Sequence, residues 1–326
     1  MSFDTLPNDV IRHIVSFFPN TLENIGNFLE YLPQKKKRAL FDCAIADFGG
    51  FDCVDLDHEE LNENHHLIGI RTRIIHFHDD VHDRHDVHDE EIHQPETDNY
   101  LRIAQMCPNL EIIQDSIGYF SDEMLTKIVQ SCPLLSNISI WCHDSITDAP
   151  FFEMAHNSKN LKSLYLCTEV DSKVSDVGLT AVLQGCSKIE TLHISDYEHH
   201  FTVESYREIS RLSSLLELYI TNTVAITDEI IIQIASGCKN LKKLSVMSSN
   251  TSNECIIEVG RLCPKITNLA FTLKFKNFTS LIKIVEAFPN LLNISCYGMS
   301  TKENVNIMKK LKDLYPNLDV YPLKSY

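Results

Sequence analysis

The sequence predicts an α/β repeat solenoid, with short parallel strands inside and helices outside, led by a small all-α head. Two observations carry this reading. A motif written Cys-Pro-Asn-Leu in its fullest form returns nine times, at intervals of 25 to 28 residues, from Cys107 to Tyr315. Within each interval the apolar pattern alternates over a few residues and then changes to helical spacing. The first fifty residues do not follow this beat, so three segments are expected: 1–50, 51–100 and 101–326.

In the first segment, apolar residues at Leu6, Val10, Ile11, Ile14, Val15, Phe17 and Phe18 predict a short helix ending at Pro19. Leu22, Ile25, Phe28, Leu29 and Leu32 predict a second helix, and Leu40, Phe41 and Ile45 a third. Helices this small enclose little core and leave apolar surface that needs a partner. Lys35–Arg38 reads as a solvated helix end rather than a nuclear address.

The second segment is acidic. Residues 51–100 hold fifteen acids and three bases, against twenty-four and twenty-one in 101–326. Ile74-Ile75-His76-Phe77 predicts an extra strand, and Tyr100, Leu101, Ile103 and Ala104 its helix. Between them lies the run His78–His93, in which His82, His85 and His88 each stand beside an Asp; nine of the fifteen histidines fall within 58–93. That run has no core pattern and reads as a solvated insertion, not a built metal site. Its histidines titrate near neutrality, which makes it a pH-sensitive acidic loop.

Each repeat of the third segment follows one plan. In Leu161-Lys162-Ser163-Leu164-Tyr165-Leu166 the alternation puts Leu164 and Leu166 on one face of a strand. Hydroxyl–acid pairs then open four of the helices: Ser121-Asp122, Thr147-Asp148, Ser175-Asp176 and Thr227-Asp228. Each lies eleven residues before the Cys position of its repeat. One unit cannot bury its own apolar face, whereas a stack can.

The Cys position itself is read as a buried apolar slot. Of eleven cysteines, Cys107, Cys132, Cys186, Cys238 and Cys263 occupy it, and Ser158, Leu212, Phe288 and Tyr315 replace them elsewhere. There is no Cys-x-x-Cys pair, so neither disulfides nor zinc are expected, and the compartment is a reducing one, cytoplasmic or nuclear. No apolar run reaches the roughly 18 residues of a membrane span, and Met1-Ser2-Phe3-Asp4 does not open a signal peptide. The near-neutral array does not invite nucleic acid. No nucleophile–base motif, phosphate-cradling glycine loop or His-Glu-x-x-His is present, so no enzyme and no cofactor are expected.

The strand residues that point away from the core form three columns. They carry few charges and several aromatics, including the only Trp. Aromatics on an exposed face are the material of binding hot spots. Trp141, Tyr165, His193, Tyr219, Met247 and Tyr297 are therefore the expected contacts for a protein partner on the concave face.

Over residues 101–323 the chain resembles the cysteine-containing leucine-rich-repeat family, with Cys ahead of a Leu-x-x-Leu-x-Leu run. That family places Cys or Asn three residues after the last strand Leu; here the slot holds His143, Glu169, Tyr197, Thr223, Ser249, Lys274 and Met299. The internal ladder must therefore be irregular or replaced. The head resembles an F-box at Leu6-Pro7, Asp9, Val10, Ile11, Ile14, Phe17-Phe18-Pro19 and Leu22. The usual Val-Cys-(Arg/Lys)-x-Trp segment is replaced by Leu32-Pro33-Gln34-Lys35-Lys36-Lys37-Arg38. The resemblance implies a non-catalytic, substrate-recognition subunit of a cullin-RING ubiquitin ligase. It implies that Leu6, Pro7, Val10, Ile11, Ile14, Phe17, Phe18 and Leu22 bind a Skp-type adaptor. The other reading is a leucine-rich-repeat scaffold or regulator, for example of a GTPase, with the head serving as a cap.

Overall fold

A computed structural model describes residues 53–56, 72–77, 104–115 and 120–323, apart from positions 198, 222, 249, 273–277 and 298–301. The expected head helices, Lys35–Arg38 and the His/Asp run lie outside the described residues. The chain divides into two compact units, Met1–Trp141 and Cys142–Tyr326. Among the described residues no helix is long and apolar enough to cross a membrane.

The first unit pairs β1 (Cys53–Leu56), β2 (Ile74–Phe77), β3 (Ile112–Asp115) and β4 (Asn137–Cys142) in parallel and in chain order. Helix α1 (Asp122–Ser131) joins the last two. β2 is the expected extra strand; β1 lies in the stretch read only as an acidic spacer.

The second unit repeats the strand–helix step. Its strands are β5 (Ser163–Thr168), β6 (Thr191–Asp196), β7 (Glu217–Thr221), β8 (Lys243–Val246), β9 (Asn268–Thr272), β10 (Asn293–Tyr297) and β11 (Asp319–Leu323). Its helices are α2 (Ala149–Asn157), α3 (Asp176–Gly185), α4 (Val203–Glu208), α5 (Asp228–Gly237), α6 (Asn253–Leu262), α7 (Phe278–Ala287) and α8 (Lys302–Leu314). A short 3₁₀ turn, Ile209–Arg211, extends α4. The register does not slip: Ser163, Thr191, Glu217, Lys243, Asn268 and Asn293 stand opposite one another in turn. The inward pairs Leu164/Leu166, Leu192/Ile194 and Leu218/Ile220 are fully buried. Each such side chain contributes about 1.5–3 kcal/mol on burial.

Helix ends are sealed by the neighbouring repeat. Ser121 and Ser175 accept from their helices' backbone N–H groups as expected, and so do Thr202 and Ser252. Thr147 caps Ala149 from one residue further out. The acid beside the cap does more than face the helix dipole. Asp148 accepts from both the N–H (2.8 Å) and the hydroxyl (2.6 Å) of Ser175 in the next repeat. Asp176 holds Thr202 in the same two-pronged way, and Asp228 holds Ser252. Gly178 makes room for the first of these rungs, because a Cβ there would collide with Asp148 Oδ1. One rung is missing. Val203 occupies the acid's position after Thr202, and Thr227 of the following repeat makes no side-chain cap bond.

At the other end of each helix the Cys slot supplies a donor. Cys132 Sγ donates to Cys107 O at 3.3 Å, Cys186 to Met154 O at 3.5 Å, Cys238 to Ile209 O at 3.2 Å and Cys263 to Ala235 O at 3.3 Å. These carbonyls belong to the last turn before the preceding strand; those of Cys107, Met154 and Ile209 already accept a backbone N–H, and the thiol takes a second lone pair. The slot is buried, as read from the sequence, and it also has a polar task. Burial lifts the thiol pKa of Cys132 and Cys238 to about 12 and of Cys186 and Cys263 to about 11. The thiol therefore stays protonated and can donate.

The expected replacement of the turn ladder is found one residue earlier than the family's slot. Asp115, Thr168, Asp196 and Ser248, two residues after the last inward strand residue, are buried. Asp196 accepts from His200 N, Phe201 N and the hydroxyls of Thr168 and Tyr206; Asp115 accepts from Phe120 N.

Asp228→Ala should leave the Ser252 N–H short of its acceptor and lower unfolding free energy by about 1–2 kcal/mol. Val203→Asp should add the missing rung and raise it by about 0.5–1 kcal/mol; urea denaturation of both variants measures the pair. At pH 8, iodoacetamide should label Cys132, Cys186, Cys238 and Cys263 only after unfolding, as read by mass spectrometry, since thiols with pKa of about 11 to 12 present almost no thiolate.

Candidate functional site

The register turns alternate strand residues into straight columns on the sheet face opposite the helices. In the second unit the middle column begins Tyr165, His193, Tyr219, in direct register. The Tyr165 and His193 rings lie 4.2 Å apart and tilted by 52°, and those of His193 and Tyr219 lie 5.6 Å apart and nearly stacked. All three are half-buried, so their edges stay available. Burial pushes the His193 imidazole below its ordinary value and the Tyr165 and Tyr219 phenols above theirs. Each shift favours the uncharged form, so the row is a neutral aromatic strip at physiological pH.

The Tyr219 hydroxyl donates to Glu217 Oε2 at 3.2 Å, and Lys243 pairs with Glu217 at 2.9 Å. This fixes the last ring of the strip. Beyond it the column turns small, through Ser245, Ala270 and Ser295. It then ends on Tyr321 of β11, which stands opposite Ser295 and is half exposed. A recess of about 290 Å³ opens there, with Tyr219 and Tyr321 at its edges, Ala270 and Ser295 on its floor, and Lys243 and Asn268 beside it.

Of the expected contacts, Tyr165, His193 and Tyr219 come together in one row. Met247 is half-buried just past the end of β8. Tyr297 lies on β10, and its side chain is outside the described residues. Trp141 is half-buried on β4 of the first unit. The third column is not the open surface expected of it: Cys167, Ser195 and Thr221 are buried, and Thr221 donates to Ser195 Oγ. The eight expected adaptor contacts, Leu6 to Leu22, lie outside the described residues. Tyr321 escaped the sequence reading, whereas Asn268 stood in one of its outward columns without being singled out as a contact.

No protein-family model matches the chain. The F-box protein FBX14 of Arabidopsis thaliana is 26% identical over 205 residues, which cover 59% of this chain and 32% of that protein. Coronatine-insensitive protein homolog 1b of Oryza sativa subsp. japonica is 24% identical over 159 residues, covering 47% of this chain and 26% of its own length. GRR1-like protein 1 of A. thaliana is 21% identical over 198 residues, with coverages of 59% and 33%. The chain is similar to F-box/leucine-rich-repeat proteins over these stretches.

The match to these F-box/leucine-rich-repeat relatives spans a third or less of their length. Two solved structures share the fold. The leucine-rich-repeat protein LegL7 from Legionella pneumophila superposes with a TM-score of 0.50 at 12% identity, over 85% of this chain and 96% of that one. A chain of the yeast Rad7–Elc1 complex does so with a TM-score of 0.50 at 16% identity, over 96% and 91%. The leucine-rich-repeat solenoid read from the sequence is thus the observed fold, and the aromatic strip lies on its strands.

By NMR, His193 should titrate with a midpoint below 6.5. Its folded pKa is depressed, so the unfolded chain takes up the proton first as pH falls. His193 therefore lowers stability as pH drops from 6.5 toward its folded value, and His193→Gln should flatten that part of the stability profile.

Proposed function

We propose that this chain is a non-catalytic, substrate-recognition subunit of a cullin-RING ubiquitin ligase. The head, residues 5–50, holds a Skp-type adaptor through Leu6, Pro7, Val10, Ile11, Ile14, Phe17, Phe18 and Leu22. The sheet face holds a protein substrate. The observation that carries the reading is the Tyr165–His193–Tyr219 strip on the strands of a chain related to F-box proteins. The strip is neutral, rigid and half-buried, which suits the centre of a protein interface. Met247 and Tyr297 extend the same surface, and Trp141 offers a separate contact from the first unit.

The chain brings no chemistry of its own to such a reaction. It acts by proximity, raising the effective concentration of substrate lysines near a ligase bound through the head. A repeat scaffold that regulates another protein, with the head as a cap, needs no adaptor.

Co-purification distinguishes the two. A Skp-type adaptor should be retained by the full chain and lost when Leu6, Pro7 and Ile14 are all changed to Ala. Failure of the unchanged chain to retain any adaptor sinks the ligase reading. Trp141→Ala combined with Tyr165→Ala should abolish capture of the substrate with no loss of solubility. Undiminished capture would remove the sheet face from the interface.

A further inference from the structure

The near-neutral balance of the repeats conceals a sorted distribution. Acids stand at the helix N-termini, as Asp148, Asp176 and Asp228 do, where aligned backbone dipoles favour them. Lysines collect at the opposite edge, in the turns that lead into β5, β6, β8 and β9; the turn 212–216 before β7 has none. Lys159, Lys188, Lys239, Lys242 and Lys265 are all exposed there.

None of these five has a carboxylate partner among the described residues. Lys159 donates to the carbonyls of Ala155 and Gly185, Lys188 to Asn160 Oδ1 and Lys265 to Asn240 Oδ1. The acids in or beside the same turns are already matched. Glu190 pairs with Lys162 at 3.6 Å, Glu208 with Arg211 at 3.5 Å and Glu217 with Lys243 at 2.9 Å. The edge from β5 to β9 therefore carries a surplus of five positive charges. Strands about 4.8 Å apart spread it over roughly 19 Å.

We propose that this lysine edge binds an acidic, extended segment of a partner protein, at a surface distinct from the aromatic strip and independent of the ligase reading. Charge complementarity selects the partner. An extended chain covers roughly 19 Å with about six residues, so a run of Asp or Glu matches the five lysines in both length and number. The turns 158–162, 186–190, 212–216, 238–242 and 263–267 contain no aromatic and no arginine. They offer point charges, with no ring on which a base could stack and no planar fork for bidentate phosphate recognition. Asn160 and Asn240, each in the preceding turn, steady the ammonium groups of Lys188 and Lys265.

Fluorescence anisotropy of a labelled octaglutamate peptide against the full chain tests this. Binding at low salt, weakening steadily as salt rises, is expected. Lys239→Gln, Lys242→Gln and Lys265→Gln together should weaken it about tenfold, since exposed charge pairs are worth a fraction of a kcal/mol each. The thermal midpoint should hold, because all three side chains are exposed, and the triple Lys→Arg variant should bind like the parent. Absence of binding at low salt overturns the proposal, as does a Gln variant that binds like the parent. Tighter binding of a DNA duplex than of the peptide also overturns it, and would make the edge a nucleic-acid surface.

Discussion

A helix of ten residues leaves several N–H groups at one end and several C=O groups at the other without partners. A strand–helix unit of about 26 residues has no spare chain with which to cover them. In this protein the neighbouring repeats cover both ends, the preceding one at the start of each helix and the following one at its end. An Asp carboxylate reaches forward to the following cap residue, and a Cys thiol reaches back to the preceding helical carbonyl. Helix stability is thereby a property of neighbours. The beat of the sequence is the distance at which these two contacts close together.

The same constraint builds the binding face. Rungs at both helix ends hold consecutive strands in register, so residues at equivalent positions line up as columns. A column can then be specialised as a unit. The inward columns are aliphatic. The middle outward column gathers Tyr165, His193 and Tyr219 into contact. The third is buried at Cys167, Ser195 and Thr221, where Thr221 and Ser195 bond each other across strands. Partial burial keeps His193 uncharged, which lets it pack on Tyr165 without a counter-ion.

Much of this was legible in the sequence. The interval, the strand and helix periods, the Ser121 and Ser175 caps and the buried Cys slot all follow from residue type and spacing. What spacing does not encode is direction. The acid after each cap reads as a complement to its own helix dipole, yet Asp148 spends both oxygens on Ser175, 27 residues away. The Cys slot reads as apolar because Leu212 and Phe288 also fill it, and only the carbonyls opposite reveal the donor. Two edge strands escaped for different reasons. β1 is four residues long in an acidic stretch. β11 begins one residue early, since Leu318 precedes Val320 by two positions where Leu291 precedes Ile294 by three. That shift hid Tyr321, and with it the far wall of the recess.

Parallel stacking has an electrostatic consequence that net charge does not report. Within the second unit every repeat sends its helix in the same direction, so the dipoles point alike and their effects accumulate side by side. Acids gain at one edge of each unit and bases at the other. The acidic edge is largely consumed internally, because Asp148, Asp176 and Asp228 are committed to rungs. The basic edge is not, because among the described residues its lysines meet carbonyl and amide oxygens and no carboxylate. Sorting followed by unequal use converts a balanced composition into a surface of one sign. A chain with a net charge of −16 thus presents a positive edge, because its helix-start acids are spent on rungs while its turn lysines meet no acid among the described residues.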